Sequence, residues 1–112
     1  MNITSDITTA LAPMSLVVAV GAYIAPEYPD AYVVLTPLGE QNDDEADDAP
    51  LTETTGADVN LYKRGKYEAA KDQMKALLKT AGLSIAASFY GGYENDTKHH
   101  HWVITVENKE VL

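Results

Sequence analysis

The 112-residue sequence contains no cysteine, which excludes a disulfide scaffold, a thiolate metal site and a cysteine nucleophile. This absence fits a protein of a reducing cytoplasm. Long apolar runs are missing as well, because the longest mostly apolar stretch spans residues 16–25 and a membrane helix needs roughly 20 residues. No basic segment precedes an apolar run near residue 1, so we expect neither a signal peptide nor a membrane-spanning segment.

Basic residues are missing from the first half of the chain. Residues 1–62 contain 11 acidic residues and no Lys or Arg, whereas residues 63–112 contain 6 acidic and 8 basic residues. The halves therefore carry −11 and +2, which sum to the formal net charge of −9. Phosphate binding needs clustered Lys and Arg, so specific binding to nucleic acid or to anionic membranes is not expected. The asymmetry either lets the acidic face of one copy meet the basic face of another, or reflects one acidic segment alone.

Motifs that carry catalysis are also absent from the sequence, which has no Gly-x-Ser-x-Gly, no His-Glu-x-x-His and no phosphate-binding loop. We therefore expect no enzyme and no cofactor. An enzymatic or small-ligand site would have to use His99, His101 and Glu107, which share one face of a predicted strand. Zinc needs three or four ligands, and whether His99 and His101 bind a metal stays open.

The periodicity of the chain predicts an α+β protein with the element order α-β-β-β-α-β-β. We expect an antiparallel or mixed sheet of about five strands, with one or two helices packed on it, in a single domain over residues 1–112. The predicted helices cover residues 2–12 and 66–82, and the predicted strands cover residues 15–24, 31–38, 57–63, 83–90 and 99–107.

Alternation along the strands predicts which side chains share a face. In the third strand Val59 and Leu61 share an apolar face. The fourth strand places Leu83, Ile85, Ala87 and Phe89 on one face. In the last strand the apolar face holds His100, Trp102, Ile104 and Val106, and the mostly polar face holds His99, His101, Thr105 and Glu107.

The stretch between the second and third strands is predicted to be a flexible, acidic loop at residues 39–51. Its six acidic residues are Glu40, Asp43, Asp44, Glu45, Asp47 and Asp48. A calcium loop starting at Asp43 fails, because position 6 is Asp48 instead of Gly and position 12 is Thr54 instead of Glu. Three interpretations stay open: a solvated loop, an imitation of nucleic-acid phosphates, or a surface that repels DNA. Lys63, Arg64 and Lys66 form a small basic cluster soon after it.

Several stretches resemble a known family. The order of elements, "AYVVL" at residues 31–35, "VNLYKR" at residues 59–64 before a helix, and "YGGYENDTKHHHWVITVE" at residues 90–107 are similar to the small tail-terminator proteins of long-tailed bacteriophages. These proteins are also called tail-completion or tail-to-head joining proteins. The likeness covers about residues 14–107, and the acidic insert at residues 40–50 is longer and more charged than the family leads us to expect.

This resemblance implies a structural protein of the virion, assembled in the host cytoplasm and located at the tail neck. It implies a homo-oligomer, expected to be a hexameric ring, that caps the tail tube protein and joins it to the head–tail connector protein while DNA passes without specific binding. The acidic loop is then a candidate channel-facing or partner-binding segment, and Lys63, Arg64 and Lys66 are candidate subunit contacts. The alternative function is an acidic inhibitor that mimics nucleic acid and blocks a basic enzyme.

Overall fold

The structure, a computed structural model, describes residues 2–43 and 52–111 and confirms the predicted α+β fold. Two helices and five strands follow each other in the predicted order. The helices are α1 (Ile3–Leu11) and α2 (Glu68–Thr80), and a short 3-10 turn (Ala12–Met14) follows α1. The strands are β1 (Val17–Val20), β2 (Ala31–Asp43), β3 (Thr52–Arg64), β4 (Ser84–Glu94) and β5 (His99–Val111).

All five strands belong to one mixed sheet with the order β1-β2-β3-β5-β4. The short strand β1 lies parallel to β2, and every other pair is antiparallel. Because β5 inserts between β3 and β4, the last strand of the described chain lies in the interior of the sheet. The edges are β1 and β4.

Both helices pack on one face of the sheet. Asn2 caps α1 by accepting hydrogen bonds from the backbone amides of Thr4 and Ser5, which satisfies donors that have no partner inside the helix. The core combines apolar side chains of both helices with alternate residues of the strands: Ile3, Ile7, Leu11, Val33, Leu35, Ala57, Val59, Leu61, Met74, Leu78, Leu83, Ile104 and Val106. Neither helix in the described part of the chain is long and apolar enough to cross a membrane.

The prediction of a loop at residues 39–51 is wrong for residues 39–43. Strand β2 continues to Asp43, and Gly39, Glu40, Gln41, Asn42 and Asp43 pair with residues 56 to 52 of β3. The ladder shifts by one residue between Pro37 and Gly39, and such a bulge lets a strand continue past a residue that has no amide hydrogen to donate. The rest of the predicted loop, including Asp44, Glu45, Asp47 and Asp48, lies outside the described residues.

A second bulge changes the face assignment in β4. The register shifts between Ile85 and Ala87, and one extra residue reverses the alternation of the side chains that follow. Leu83 lies in the core and Ile85 packs against it, whereas Phe89 pairs with Val103 on the opposite face and is 49% exposed. The prediction that Phe89 shares a face with Leu83 and Ile85 is therefore wrong.

Candidate interaction surface

The sheet face opposite the helices, called the open face, carries successive cross-strand rows of side chains. The first row across β2, β3 and β5 is Tyr32, Tyr62 and His101, the second is Val34, Asn60 and Val103, and the third is Thr36, Asp58 and Thr105. The rows change from aromatic to mixed to polar along the sheet. The aromatic end of the open face is therefore chemically distinct from the rest.

Stacked rings make up the first row. The ring centroids of Tyr32 and Tyr62 are 4.8 Å apart with planes 11° apart, and those of Tyr62 and His101 are 4.5 Å apart with planes 12° apart. Tyr23 and Tyr28, on the segment between β1 and β2, place their ring centroids 5.1 and 5.5 Å from that of Tyr32. Aromatic pairs at these separations stabilise a fold beyond the area they bury. The segment and three strands are thereby joined in one aromatic cluster.

Asn60 links the first row to the strands on both sides. Its Nδ2 donates to the carbonyl oxygen of Val34 at 3.0 Å and to Oγ1 of Thr36 at 3.2 Å. Its Oδ1 is 2.8 Å from Nε2 of His101, and because Oδ1 only accepts, His101 donates here. The side-chain amide of Asn60 thus connects β2, β3 and β5 through hydrogen bonds.

The imidazole of His99 is completely buried, although it lies on the predicted strand face together with His101 and Thr105. Its Nε2 lies 2.8 Å from the carbonyl oxygen of Pro29, so this nitrogen carries the proton. The rings of Tyr28 and Tyr32 approach it edge-on, with centroids 6.5 and 5.2 Å away. His99 therefore supports the segment between β1 and β2 and is not available to a ligand in this arrangement.

A second aromatic cluster lies on the helix side at the same end of the sheet. The ring of Trp102 stacks on Tyr67 with centroids 5.5 Å apart, and Lys71 Nζ lies 4.6 Å from the Trp102 ring centroid. The hydroxyl of Tyr90 and Nδ1 of His100 are joined by a 2.8 Å hydrogen bond. Tyr90 is 44% exposed, so this cluster reaches the surface.

Burial and charge shift the acid–base behaviour of the first row. Burial raises the pKa of Tyr32 to about 12, and Tyr62 and Glu94 add to the rise. Burial also raises the pKa of Tyr62, again with a contribution from Glu94. Burial lowers the pKa of His101, against the opposing charges of Glu94 and Asp58. The row is therefore neutral at pH 7 and lies in the negative field of Glu94.

An open cleft of about 470 Å³ lies against the first row. The segment between β1 and β2 forms one side, and the end of β4 with the following turn forms the other. Its larger side chains are Tyr23, Tyr28, Tyr32, Tyr62, Glu94 and Asp96. The cleft therefore combines aromatic rings with two carboxylates.

The basic cluster is partly occupied by contacts within the chain. Lys63 Nζ binds Oδ2 of Asp30 at 2.7 Å and the carbonyl oxygen of Arg64 at 2.8 Å, and its hydrogen bond holds the pKa of Asp30 below the ordinary value. Arg64 Nε donates to the carbonyl oxygen of Thr97 at 2.8 Å. Lys66 is exposed in the turn that follows. A role of these three residues between subunits stays a prediction.

Beyond the core, three strands continue as one ribbon, here called the arm: residues 39–43 of β2, 52–56 of β3 and 107–111 of β5. None of the core residues belongs to it. Glu53 and Glu110 are directly opposite each other, and like charges in this position destabilise a sheet. The stability of the fold therefore does not explain why the arm is acidic.

The three residues proposed for an enzymatic site do not converge. His99 is hydrogen-bonded to the carbonyl oxygen of Pro29, and His101 is hydrogen-bonded to the side chain of Asn60. Glu107 lies six residues beyond His101 on the same strand, which is about 20 Å at roughly 3.3 Å per residue. Within residues 2–43 and 52–111, no group of three His, Asp or Glu side chains is placed to hold a metal ion.

The tyrosine-lined cleft is absent from the predictions made on the sequence. A signal for it exists, because the chain has 7 Tyr and only 1 Phe, and this ratio indicates rings with a polar edge instead of core packing. The cleft itself depends on segments far apart in the chain, so the spacing of residues in the sequence does not reveal it.

Comparison with other proteins identifies no family for this chain, because the sequence matches no protein-family model and no curated protein.

Proposed function

We propose that the protein is a virion structural subunit, a tail terminator or neck component of a long-tailed bacteriophage. In this role it forms a ring, expected to be a hexamer, that caps the tail tube and joins it to the head connector. It acts through shape and contacts and catalyses no reaction. The sequence resemblance motivates the family, and one structural feature, the acidic arm, supports the mode of action.

The arm extends the sheet beyond the helices to give a molecule of 53 × 24 × 22 Å. It carries Glu40, Glu53, Glu107 and Glu110, with Lys109 as its one basic residue among those described. In a ring whose arms point inward, these carboxylates surround the channel. Repulsion between carboxylates and phosphates then lets DNA pass without adhering.

Other surfaces suit contacts between neighbouring subunits. A ring needs two different patches on each copy, because its interfaces join the head of one copy to the tail of the next. The two sheet edges differ in this way: β1 exposes Val17 and Val20, and β4 exposes Phe89, Tyr90 and Tyr93. Exposed apolar side chains at opposite edges are a source of such a head-to-tail contact.

The first test is the solution mass by light scattering during size exclusion, at low and high salt. The proposal predicts a mass of six chains of 12.1 kDa each, or a monomer that binds to purified phage tails lacking their terminator. Negative-stain electron microscopy then shows an annulus, alone or at the tail end. The arm's role is tested by Glu40→Gln/Glu107→Gln, which leaves ring formation intact and increases retention of double-stranded DNA by the ring.

A chain that stays monomeric at every salt concentration and does not bind tails overturns the proposal. The matched control for the arm is Glu68→Gln/Asp72→Asn, which removes the same charge from the exposed side of α2. Equal DNA retention by the two variants would show that the carboxylates of the arm do not reduce the adhesion of DNA to the ring.

A second function, inhibition of a basic enzyme by imitation of nucleic acid, is favoured by one observation. The paired strands of the arm hold the backbone of Glu40 and Asp43 in a regular array, and regular spacing is what a phosphate mimic needs. This function predicts salt-dependent inhibition of DNA-cleaving enzymes by a monomer or dimer. Joint replacement of Asp43, Asp44, Asp47 and Asp48 by Asn abolishes that inhibition, and an unaffected variant would exclude the mimic.

A further inference from the structure

The described side chains that line the cleft on the open face are either neutral or negatively charged. Four tyrosine rings and two carboxylates line it, and none of the described residues that line it is basic. Of the two nearby basic residues of β3, Lys63 is paired with Asp30. Arg64 donates to the carbonyl oxygen of Thr97 and its positive charge lowers the pKa of Tyr32, but Arg64 does not line the cleft. The cleft therefore favours a positive ligand over a neutral or negative one.

The two kinds of wall act on a cation in different ways. The face of an aromatic ring attracts an organic cation through the negative charge of its π system. A carboxylate attracts the same charge and accepts hydrogen bonds from its N–H groups. Two carboxylates are too few for a dedicated calcium or zinc site, which takes more ligands from the protein. An organic cation with apolar and charged parts matches both walls.

From this geometry we infer that the cleft is a binding site for an organic cation with a guanidinium or alkylammonium group, held between the tyrosine rings and the carboxylates of Glu94 and Asp96. Its volume of about 470 Å³ lies in the range of about 300–1,000 Å³ typical of small-molecule sites. The group comes either from an arginine or lysine side chain of another protein chain or from a free amine. This inference does not depend on whether the protein forms a hexameric ring.

The influence of Glu94 on the rings supports this assignment. Burial is the main cause of the raised pKa values of Tyr32 and Tyr62, and the negative charge of Glu94 adds to both. A charge that disfavours a phenolate at this position favours a cation at the same position. Glu94 is exposed at the end of β4 and Asp96 is exposed in the turn that follows, so both are accessible to a ligand.

The test is an NMR titration of the full chain with three cationic probes: N-acetyl-arginine amide, N-acetyl-lysine amide and choline. The neutral probe N-acetyl-citrulline amide has nearly the shape of the arginine probe without its charge. We expect saturable millimolar binding of at least one cation, with shift changes centred on Tyr62 and Glu94, and about tenfold weaker binding of citrulline. Tighter binding of the arginine or lysine probe indicates a protein side chain, and tighter binding of choline indicates a free amine.

Matched variants separate the cleft from general acidity. Glu94→Gln/Asp96→Asn removes both wall charges and weakens cation binding about tenfold, whereas Glu40→Gln/Glu107→Gln removes the same charge from the arm and changes binding less than twofold. Tyr23→Phe keeps the ring and keeps binding, whereas Tyr23→Leu weakens it about fivefold. Circular dichroism checks that each variant is folded.

Three results overturn the inference. The first is the absence of saturable binding for all three cations, the second is equal binding of citrulline and arginine probes, and the third is an equal loss in the cleft and arm variants. The titration measures cation binding whether the protein is a monomer or a hexameric ring. A failure of hexamer assembly is therefore distinguished from a failure of cation binding.

Discussion

The imidazole of His101 is held from three directions. Its plane stacks on Tyr62, its Nε2 donates to Asn60, and Gly91 leaves room for its Nδ1 edge. A Cβ added at Gly91 would lie 2.7 Å from that Nδ1. A ring confined in this way has few means to accommodate an added proton, and its protonation therefore affects the stability of the fold.

Acid destabilises the fold through His101. Because its pKa is lowered by burial, the unfolded chain takes up the proton first as the pH falls below about 6.5. The stability that the neutral ring contributes is complete above that pH and is lost as the pH falls toward the folded-state pKa. We expect His101→Gln to reduce stability at pH 8 by about 1–2 kcal/mol and to flatten its fall between pH 7 and 5. Urea unfolding at several pH values measures this.

The control for that measurement is His100→Gln, which removes a histidine from the other face of the same strand. A larger change of the acid dependence in His101→Gln than in His100→Gln supports the assignment to His101. The same slope in the parent and in His101→Gln would contradict it.

At the scale of elements, the bulges of β4 determine which side chains meet. The register shifts again between Tyr90 and Gly92, and this places Gly91 beside the His101 ring. Gly91 does not have a positive φ, so backbone strain does not require a glycine here. The requirement comes from the space that His101 occupies.

We expect Gly91→Ala to destabilise the protein by about 1–3 kcal/mol, the usual cost of an added group in a well-packed site. The ring cannot move aside without losing its stack on Tyr62 and its bond to Asn60. In a chain that already carries His101→Ala, the same change costs much less. Chemical denaturation of the four chains of this cycle measures the coupling, and equal costs in both backgrounds would refute the steric explanation.

The sequence predicts the regular elements better than their irregularities. Alternation identifies Val59 and Leu61 as core because β3 is regular there. It misplaces Phe89, because a bulge leaves no mark in the hydrophobic pattern. The burial of His99 is missed for another reason, because it depends on Pro29 and Tyr28, about 70 positions earlier. The arm strand of β2 is missed because charged residues resemble a loop, although the β-branched "TETT" opposite it favours a strand.

At the scale of the whole molecule, the fold divides into a core and an arm. Every buried core residue lies outside the arm, so we expect residues 42–53 to be dispensable for folding. Replacement of residues 42–53 by Asn-Gly joins the paired residues Gln41 and Thr54 through a tight hairpin turn. The unfolding free energy stays within about 1 kcal/mol of the parent value, because none of the described residues that are removed belongs to the core.

Thermal and urea unfolding of the shortened chain check this expectation. Loss of cooperative unfolding would show that residues 42–53 are needed for folding. A stable shortened chain then serves in the mass and tail-binding measurements, because it separates contacts made by residues 42–53 from contacts made by the rest of the chain.

The position of β5 has a consequence for synthesis of the chain. This strand is made after the other four, yet it lies between β3 and β4. Until it leaves the ribosome, β3 has one unpaired edge, and β4 lacks its only partner among the described strands. Pairings between distant parts of a chain form slowly, and unpaired edges invite aggregation. The nascent chain therefore completes its sheet only after β5 has emerged.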